Sequence, residues 1–336
     1  MNVAIDITPL SSGHKDRGVG KYTKLLVKSL QKYEQRHSYT TFVRGQNIPD
    51  NVDLVHYPYF DPFFLTPPGR FRKPTVVTVH DLIPIVFPDK FPRGIRGEVK
   101  WQIQKATLKN ATRIIADSES SKRDVVRFTG IDERKIIRVY LAPDPAIIEG
   151  ANGKREGERF ILYVGDLNWN KNVSGLLLGF ARAKTGVNLV IVGSAFLDEK
   201  LPEAIAIHKQ VKNLGLEARV KFVGHVTDEK LGALYASSVG CVLSSFYEGF
   251  GLPVLEAMSC GAPVICSRGS SLDEIAGPSL RVDAYDIDSI AAGVTKLANL
   301  SKQDRKSLME KGKTWSNNFT WEKAARETVR VYESCI

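Results

Sequence analysis

The chain has 336 residues, enough for two domains, and a composition of 43% hydrophobic and 25% charged residues that excludes fibrous, collagenous and disordered classes. Its net charge of +10 is uneven: 24 basic against 16 acidic residues in 1–150 leave +8, and 23 against 21 in 151–336 leave +2. The N-terminal half thus has the field for an anionic partner, but no nucleic-acid motif accompanies it, and no apolar run reaches the roughly 18 residues that span a bilayer.

Asn2–Ile7 is apolar enough for a buried strand, and Asp6 inside it argues against a signal peptide. A loop, Thr8–Arg17, leads to Gly18-Val19-Gly20 and a helix through about Lys32, with Leu25, Leu26 and Leu30 as its apolar stripe. Gly-x-Gly before a helix is a weak phosphate-loop signal. Thr23 stands where a dinucleotide fingerprint needs its third glycine, so a dehydrogenase is rejected. Tyr39–Val43 and Val52–His56 read as strands, and Pro58–Pro68 as a loop. Pro74–His80 is a strand of β-branched residues ending on His80-Asp81. A histidine there lies where α/β sheets bind ligands, beyond the carboxyl ends of the strands, or else it packs against the next loop with Asp81 as a cap. Lys90–Asn110 interleaves Lys90, Arg93, Arg96, Lys100, Lys105 and Lys109 with Phe91, Ile95, Trp101, Ile103 and Leu108, helical from Gly97 onward. It suits either interfacial binding to anionic lipid or a solvated face over a core stripe. Ala111–Ala116 is a strand, followed by a helix to about Phe128 with Ser118, Ser120 or Ser121 as N-cap. Lys135–Tyr140 closes the first domain, and Pro143, Asp144, Pro145 and the polar run Gly150–Glu158 read as the linker.

Arg159–Val164 opens the second domain as a strand, followed by the loop 165–172 and a helix through Ala183. Lys171, between a strand end and a helix start, can meet a phosphate. Strands at Asn188–Val192 and Arg219–Val223 follow, then His225 as an exposed loop residue and a helix at Asp228–Ser237. The strand Val239–Leu243 runs into SSFYEGFGLPVLEAMSCGA, Ser244–Ala262, which turns through Gly249 and Gly251. Pro253 takes a first helical position, and Val254, Leu255, Ala257 and Met258 continue the helix. A strand, a glycine turn and a helix N-terminus can hold a phosphate, and a carboxylate just inside such a helix suits ribose hydroxyls. Taken singly, Glu256 could be an ordinary helix acid and the glycines only a turn. Ala262–Ser267 is the next strand, Asp288–Lys311 is helical in pattern, and Trp321–Cys335 is a terminal helix. Cys241, Cys260, Cys266 and Cys335 show neither metal-ligand nor disulfide-framework spacing, which suits a reducing cytoplasm, and no metal site is expected. Strand–helix alternation in both halves gives an α/β fold with parallel sheets.

The pattern Glu248-Gly-Phe-Gly-x-Pro-x-x-Glu256-Ala, followed by Gly-x-Pro-Val-Ile, resembles the donor-binding signature of retaining GT-B glycosyltransferases of the GT4 family (glycosyl transferases group 1, mannosyltransferase-like). The resemblance covers nearly the whole chain, with its specific motifs in 160–277. It implies two Rossmann-like domains with parallel sheets facing a deep cleft: 1–150 for the acceptor, 151–315 for the donor, and 316–336 as a helix crossing back to the first. The implied reaction moves a hexose, with retention, from a nucleoside diphosphate sugar to a glycan or lipid-linked acceptor hydroxyl, in polysaccharide or lipopolysaccharide assembly. No cofactor is implied beyond the donor substrate.

By the same resemblance, Lys171 and the amides around Gly249, Phe250, Gly251 and Leu252 hold the diphosphate. Glu248 meets donor-sugar hydroxyls, Glu256 the ribose, and backbone near Val223–Val226 the base. VVTVHDLIPIVFP resembles a segment whose histidine, here His80, reaches the acceptor or donor sugar. Ser118, and a phosphate loop of Arg17, Gly18 and Gly20, match elements at the cleft, as do Ser270, Ser271 and Glu274. The segment from Gly165 departs from the family: Asp166 replaces an arginine that helps neutralise the leaving diphosphate. Either Lys171 and the helix N-terminus suffice, or Arg268 contributes, or activity is low. The HDLIP segment points to GDP-mannose as donor, with glucose, N-acetylglucosamine, galactose and rhamnose donors compatible. Two other classes share the features: a GT-B nucleotide-sugar epimerase, and a catalytically silent nucleotide-sugar-binding subunit. Related glycosyltransferases also touch membranes through basic N-terminal segments.

Overall fold

The computed structural model describes residues 1–11, 13, 18–152 and 158–336. They form two compact units, Met1–Ala142 with Phe319–Ile336, and Pro143–Asn318.

In the first unit the elements run β1 (Asn2–Asp6), α1 (Gly18–Tyr33), β2 (Ser38–Phe42), β3 (Leu54–Tyr57), β4 (Thr75–Val79), α2 (Ile83–Val86), α3 (Gly94–Lys109), β5 (Arg113–Ala116), α4 (Glu119–Thr129) and β6 (Ile136–Arg138). All the strands pair in parallel, in the order β2-β1-β3-β4-β5-β6. A parallel sheet is covered on both faces, so its central strands read as continuous apolar runs rather than alternations. Every residue of β3 and β4 is buried accordingly. The strand order reverses between β1 and β3, so ligand-binding loops are expected at the carboxyl ends nearby.

The second unit begins with α5 (Pro145–Gly150), where the sequence suggested only linker. Asp144 caps it by accepting from Ala146 N at 3.0 Å, with Pro145 at the first turn. This helix packs on α8 so closely that a Cβ on Gly150 would lie 2.3 Å from Glu229 O, and one on Gly232 2.0 Å from Ile147 O. The units therefore divide after Ala142 rather than at 150. The elements continue as β7 (Phe160–Val164), α6 (Val173–Arg182), β8 (Asn188–Val192), α7 (Pro202–Asn213), β9 (Val220–Val223), α8 (Asp228–Ser237), β10 (Gly240–Leu243), α9 (Leu252–Ser259), β11 (Val264–Ser267), α10 (Leu272–Ile275), β12 (Leu280–Val282), α11 (Ile287–Ala298) and α12 (Lys302–Ser316). The sequence patterns left α7 unassigned. They also merged α11 with α12, which separate where Ser301 caps the second helix by accepting from Asp304 N at 3.0 Å. This sheet too is parallel, in the order β12-β11-β10-β7-β8-β9, and reverses between β7 and β10.

The last helix, α13 (Trp321–Glu333), belongs to the first unit and packs on α1. Its fully buried Tyr332 hydroxyl lies 2.7 Å from His56 Nδ1. The other nitrogen, Nε2, lies 2.8 Å from Thr78 Oγ1, which is 3.2 Å from the Tyr22 hydroxyl. Burial, with a smaller push from the charge of His80, lowers His56 from 6.5 to about 3. The unfolded chain takes up a proton here near pH 6.5 that the native chain refuses until about pH 3, so this residue's contribution to stability falls as pH falls through that window. Urea unfolding between pH 6.5 and 4 should accordingly show a slope steeper for the wild type than for His56→Gln, by up to about 1.4 kcal/mol per pH unit. Equal slopes would contradict a neutral buried His56.

Candidate functional site

The loops that leave β7 and β10 meet where the second sheet reverses. Lys171, on the β7 loop, places its Nζ 2.8 Å from both Oε1 and Oε2 of Glu248, on the β10 loop. Their side chains are 18% and 6% exposed, so the pair is largely withdrawn from water. The Ser245 hydroxyl donates to Glu248 Oε1 at 2.6 Å, and Glu248 N donates to Ser270 Oγ at 3.1 Å. The Ser271 hydroxyl lies 2.9 and 2.8 Å from the carbonyls of Glu248 and Phe250. Ser270 and Ser271 thus hold the backbone on either side of the glutamate.

Two asparagines bind the loops together. Asn170 donates through Nδ2 to Tyr247 O at 2.9 Å, while its carbonyl accepts from Phe246 N at 2.7 Å. Asn172 has a left-handed backbone, φ 51°, which asparagine tolerates better than most residues. Its Oδ1 caps α6 through Gly175 N at 3.2 Å, and its Nδ2 donates to Ser244 O and Ala284 O at 3.1 and 2.8 Å. Sequence reasoning gave no role to Asn170, Asn172 or Ser245. The one local signal was Ser245 standing three residues before Glu248.

From Glu248 the chain turns through Gly249, the buried Phe250 and Gly251 into α9, which starts at the half-buried Leu252. Gly251 has φ +96°, and a Cβ there would lie 2.6 Å from Leu272 Cδ2. Glu256, one turn inside α9, is buried and accepts from the Tyr235 hydroxyl on α8 at 3.1 Å. Burial and this carboxylate push the Tyr235 hydroxyl well above its ordinary range. Gly165 follows β7, where a Cβ would sit 2.9 Å from the Tyr163 hydroxyl. Asp166 is half-buried, its carbonyl 3.4 Å from that same hydroxyl, which burial and then the Glu248 and Asp166 charges push far up. Val226 lies half-buried in the coil after β9, beside the exposed His225. Arg268 is exposed on the loop after β11, with no ion-pair partner among the described residues.

The remaining expected residues lie in the first unit. His80 and Asp117 follow the paired strands β4 and β5. His80 Nδ1 is 2.6 Å from Asp117 Oδ2, and its Nε2 is 3.0 Å from Pro58 O. A carbonyl only accepts, so Nε2 carries a proton. Burial lowers the His80 pKa, but the Asp117 charge and hydrogen bond outweigh it and leave the imidazole above its ordinary value. The Tyr22 ring meets His80 edge-on, with centroids 4.7 Å apart. Both ring nitrogens are hydrogen-bonded within this unit. The neighbouring Asp117 Oδ1 is buried without a hydrogen-bond partner. Ser118 is fully buried and caps α4, its Oγ accepting from Ser121 N at 2.9 Å. Gly18 is exposed at the start of α1 and Gly20 is buried inside it, while Arg17 lies outside the described residues. Among the described residues no group of three or more His, Cys, Asp or Glu side chains could hold a metal ion.

Breaking a buried ion pair strands one charge. Lys171→Met should therefore cost about 3–5 kcal/mol in urea unfolding without ligand, and Lys171→Met/Glu248→Gln should recover most of it. A fully additive double variant would contradict the pairing. Gly251→Ala should cost about 1–3 kcal/mol through its backbone conformation and the clash with Leu272, read as a lowered urea midpoint.

The glycosyl transferases group 1 family matches residues 146–315, and Glycosyltransferase Family 4 matches 31–146. O-antigen chain mannosyltransferase B of Escherichia coli is 28% identical, over 84% of this chain and 75% of that protein. The MMP alpha-(1->4)-mannosyltransferase of Mycolicibacterium hassiacum is also 28% identical, over 70% of this chain and 57% of that one. Among solved structures, sucrose-phosphate synthase from Thermosynechococcus elongatus aligns with TM-score 0.75 at 21% identity, covering 99% of this chain and 98% of that one. Anabaena HepE in complex with UDP and glucose aligns with TM-score 0.73 at 17% identity, covering 99% and 100%. Such neighbours share the two-sheet α/β architecture of GT-B glycosyltransferases. With the family match spanning half of the chain and the fold agreeing, the chain belongs to the glycosyl transferases group 1.

Proposed function

We propose that the chain transfers a hexose, with retention at the anomeric carbon, from a nucleoside diphosphate sugar to a hydroxyl of a glycan or lipid-linked acceptor, with GDP-mannose as the favoured donor. The observation that carries this reading is the Lys171–Glu248 pair beside the α9 N-terminus at the reversal of the second sheet. Bond cleavage leaves negative charge on the departing diphosphate and positive charge on the sugar ring. A cation and helix N-terminal amides suit the first, and a carboxylate suits the second. Without ligand the two side chains neutralise each other. With donor bound, Lys171 and the amides around Gly249–Leu252 turn to the diphosphate, and Glu248 to the sugar hydroxyls.

Glu256 takes the ribose and the backbone near Val226 the base. A retaining hydrolase sets two carboxyls about 5–5.5 Å apart across the sugar. Glu248 and Glu256 have different partners and different roles here, so no covalent intermediate is assigned. The acceptor proton passes instead to a diphosphate oxygen on the same face of the sugar. Asp166 adds no positive charge, so Arg268 is the proposed second cation. His80, clamped by Asp117 and Pro58, positions the strand-end loops of the first unit, where Gly18, Gly20 and Ser118 belong to the acceptor side. The donor is a substrate, and the proposal needs no resident cofactor.

Mannose is favoured because both relatives named above are mannosyltransferases, whereas the HepE complex keeps UDP among the bases to test. The test is thermal unfolding in saturating GDP, UDP, dTDP and ADP. A nucleotide at about a hundred times its dissociation constant stabilises by roughly 2.7 kcal/mol, and one base should win. No shift with any of them would favour the silent subunit, and sugar isomerised without an acceptor would favour the epimerase. Lys171→Ala and Glu248→Ala should each lower transfer about 10²-fold or more while the protein remains folded, by product assay with the winning donor. Near wild-type rates in both would contradict the assignment.

A further inference from the structure

The asparagines that join the Lys171 and Glu248 loops also hold a set of aromatic rings. Trp169 and Phe246 each stand two residues before a member of the pair, so each Cα lies at most about 7 Å from that member's own. The two rings stack, with centroids 4.8 Å apart and planes 25° from parallel. Phe246 also meets Tyr285, on the loop between β12 and α11, at 4.7 Å and 31°. Three loops thus contribute one ring each. Their backbones are tied down: Phe246 N donates to Asn170 O, Ala284 O accepts from Asn172 Nδ2, and Tyr285 N donates to Asp283 Oδ1 at 2.9 Å. Trp169 and Phe246 are half-buried, whereas Tyr285 is 69% exposed. A ring that exposed adds little to a core, yet it is held against another aromatic. The cluster is fixed in place before any ligand arrives and is open to solvent at Tyr285.

The groups around the rings select what can stack there. Residues 282–289 contain three aspartates and no basic side chain. Asp288 is paired with Arg182 at 2.8 Å, but Asp283 and Asp286 are exposed and have no ion-pair partner among the described residues. A nucleoside diphosphate would meet like charge here. An aliphatic chain would cover these carboxylates without bonding them. A neutral pyranose satisfies both conditions: its C–H groups face the electron-rich ring, and the hydroxyls at its rim donate to carboxylate oxygens. Beside Trp169, the exposed Asn168 has an amide that does not cap the helical turn it precedes and can bond a hydroxyl in either sense. We propose that Trp169, Phe246 and Tyr285 form a subsite for a neutral sugar ring of the acceptor glycan, one lying beyond the ring that receives the transferred hexose. The inference rests on the transferase reading and makes the acceptor a chain of at least two sugars.

The experiment is isothermal titration calorimetry of the full chain with neutral trisaccharides of mannose, glucose and galactose and with the matching monosaccharides. It is run with and without the nucleoside diphosphate that stabilises the protein most. At least one trisaccharide should bind about three- to tenfold more tightly than its monosaccharide. Tyr285→Ser and Trp169→Ala should each remove that gain, whereas Tyr285→Phe, which keeps the ring, should retain it. Circular dichroism checks that the variants fold, and if Trp169→Ala unfolds, Tyr285→Ser decides. Thermal stabilisation by the nucleotide should stay at its wild-type value in Tyr285→Ser. No trisaccharide advantage in either condition, or an undiminished one in folded Tyr285→Ser, would overturn the proposal. So would loss of nucleotide stabilisation in Tyr285→Ser, which would give the rings to the base of the donor. Failure of the transferase reading looks different: no nucleotide would stabilise the wild type, and the trisaccharide comparison would still be read on its own.

Discussion

Two opposite charges 2.8 Å apart and mostly out of water are stable only while each satisfies the other. Lys171 and Glu248 impose that condition on two loops from adjacent strands, and the surrounding bonds follow from it. Asn170 and Asn172 tie the loops backbone to side chain, Ser245 supports one carboxylate oxygen, and Ser270 and Ser271 fix the peptide before the glycine turn. A site assembled this way is already charged, oriented and partly dehydrated when a ligand arrives. An anionic ligand need only compete for an ammonium that is in place. The pair itself is net neutral.

The first unit answers a different need. Its polar interior is a run of neutral groups, Tyr332, His56, Thr78 and Tyr22, linking the C-terminal helix through two strands to α1. Tyr22 then abuts the hydrogen-bonded pair of His80 with Asp117 at the strand ends. The chain's last helix therefore completes the packing of the first unit against α1. Truncating Tyr332 would leave a buried histidine nitrogen unpaired.

Much of this was legible in the sequence. Parallel sheets announce themselves as buried β-branched runs such as Thr75–Val79, and the Glu248–Glu256 spacing with its glycines and proline marks a loop entering a helix. The helix at Pro145 was hidden because proline and aspartate signal both a linker and a helix start, and only its packing against Gly232 decides. What could not be read were contacts between residues distant in sequence. Lys171 and Glu248 each had a plausible role, but 77 residues separate them and no pattern says that they touch. Similarly, no local pattern announces that His80 bonds Pro58 and Asp117 through its two nitrogens. In Lys90–Asn110 all the apolar residues looked alike, and only the fold separated Trp101 and Leu108 in the core from Ile95, Val99 and Ile103 outside.

The central claim is that this ion pair opens to receive a diphosphate. A crystal structure with the nucleoside diphosphate that stabilises the protein most would test it directly. The account predicts the diphosphate at the α9 N-terminus, with Lys171 Nζ turned from Glu248 to within hydrogen-bonding distance of a phosphate oxygen. A nucleotide bound elsewhere, with Lys171 still closed on Glu248, would contradict it.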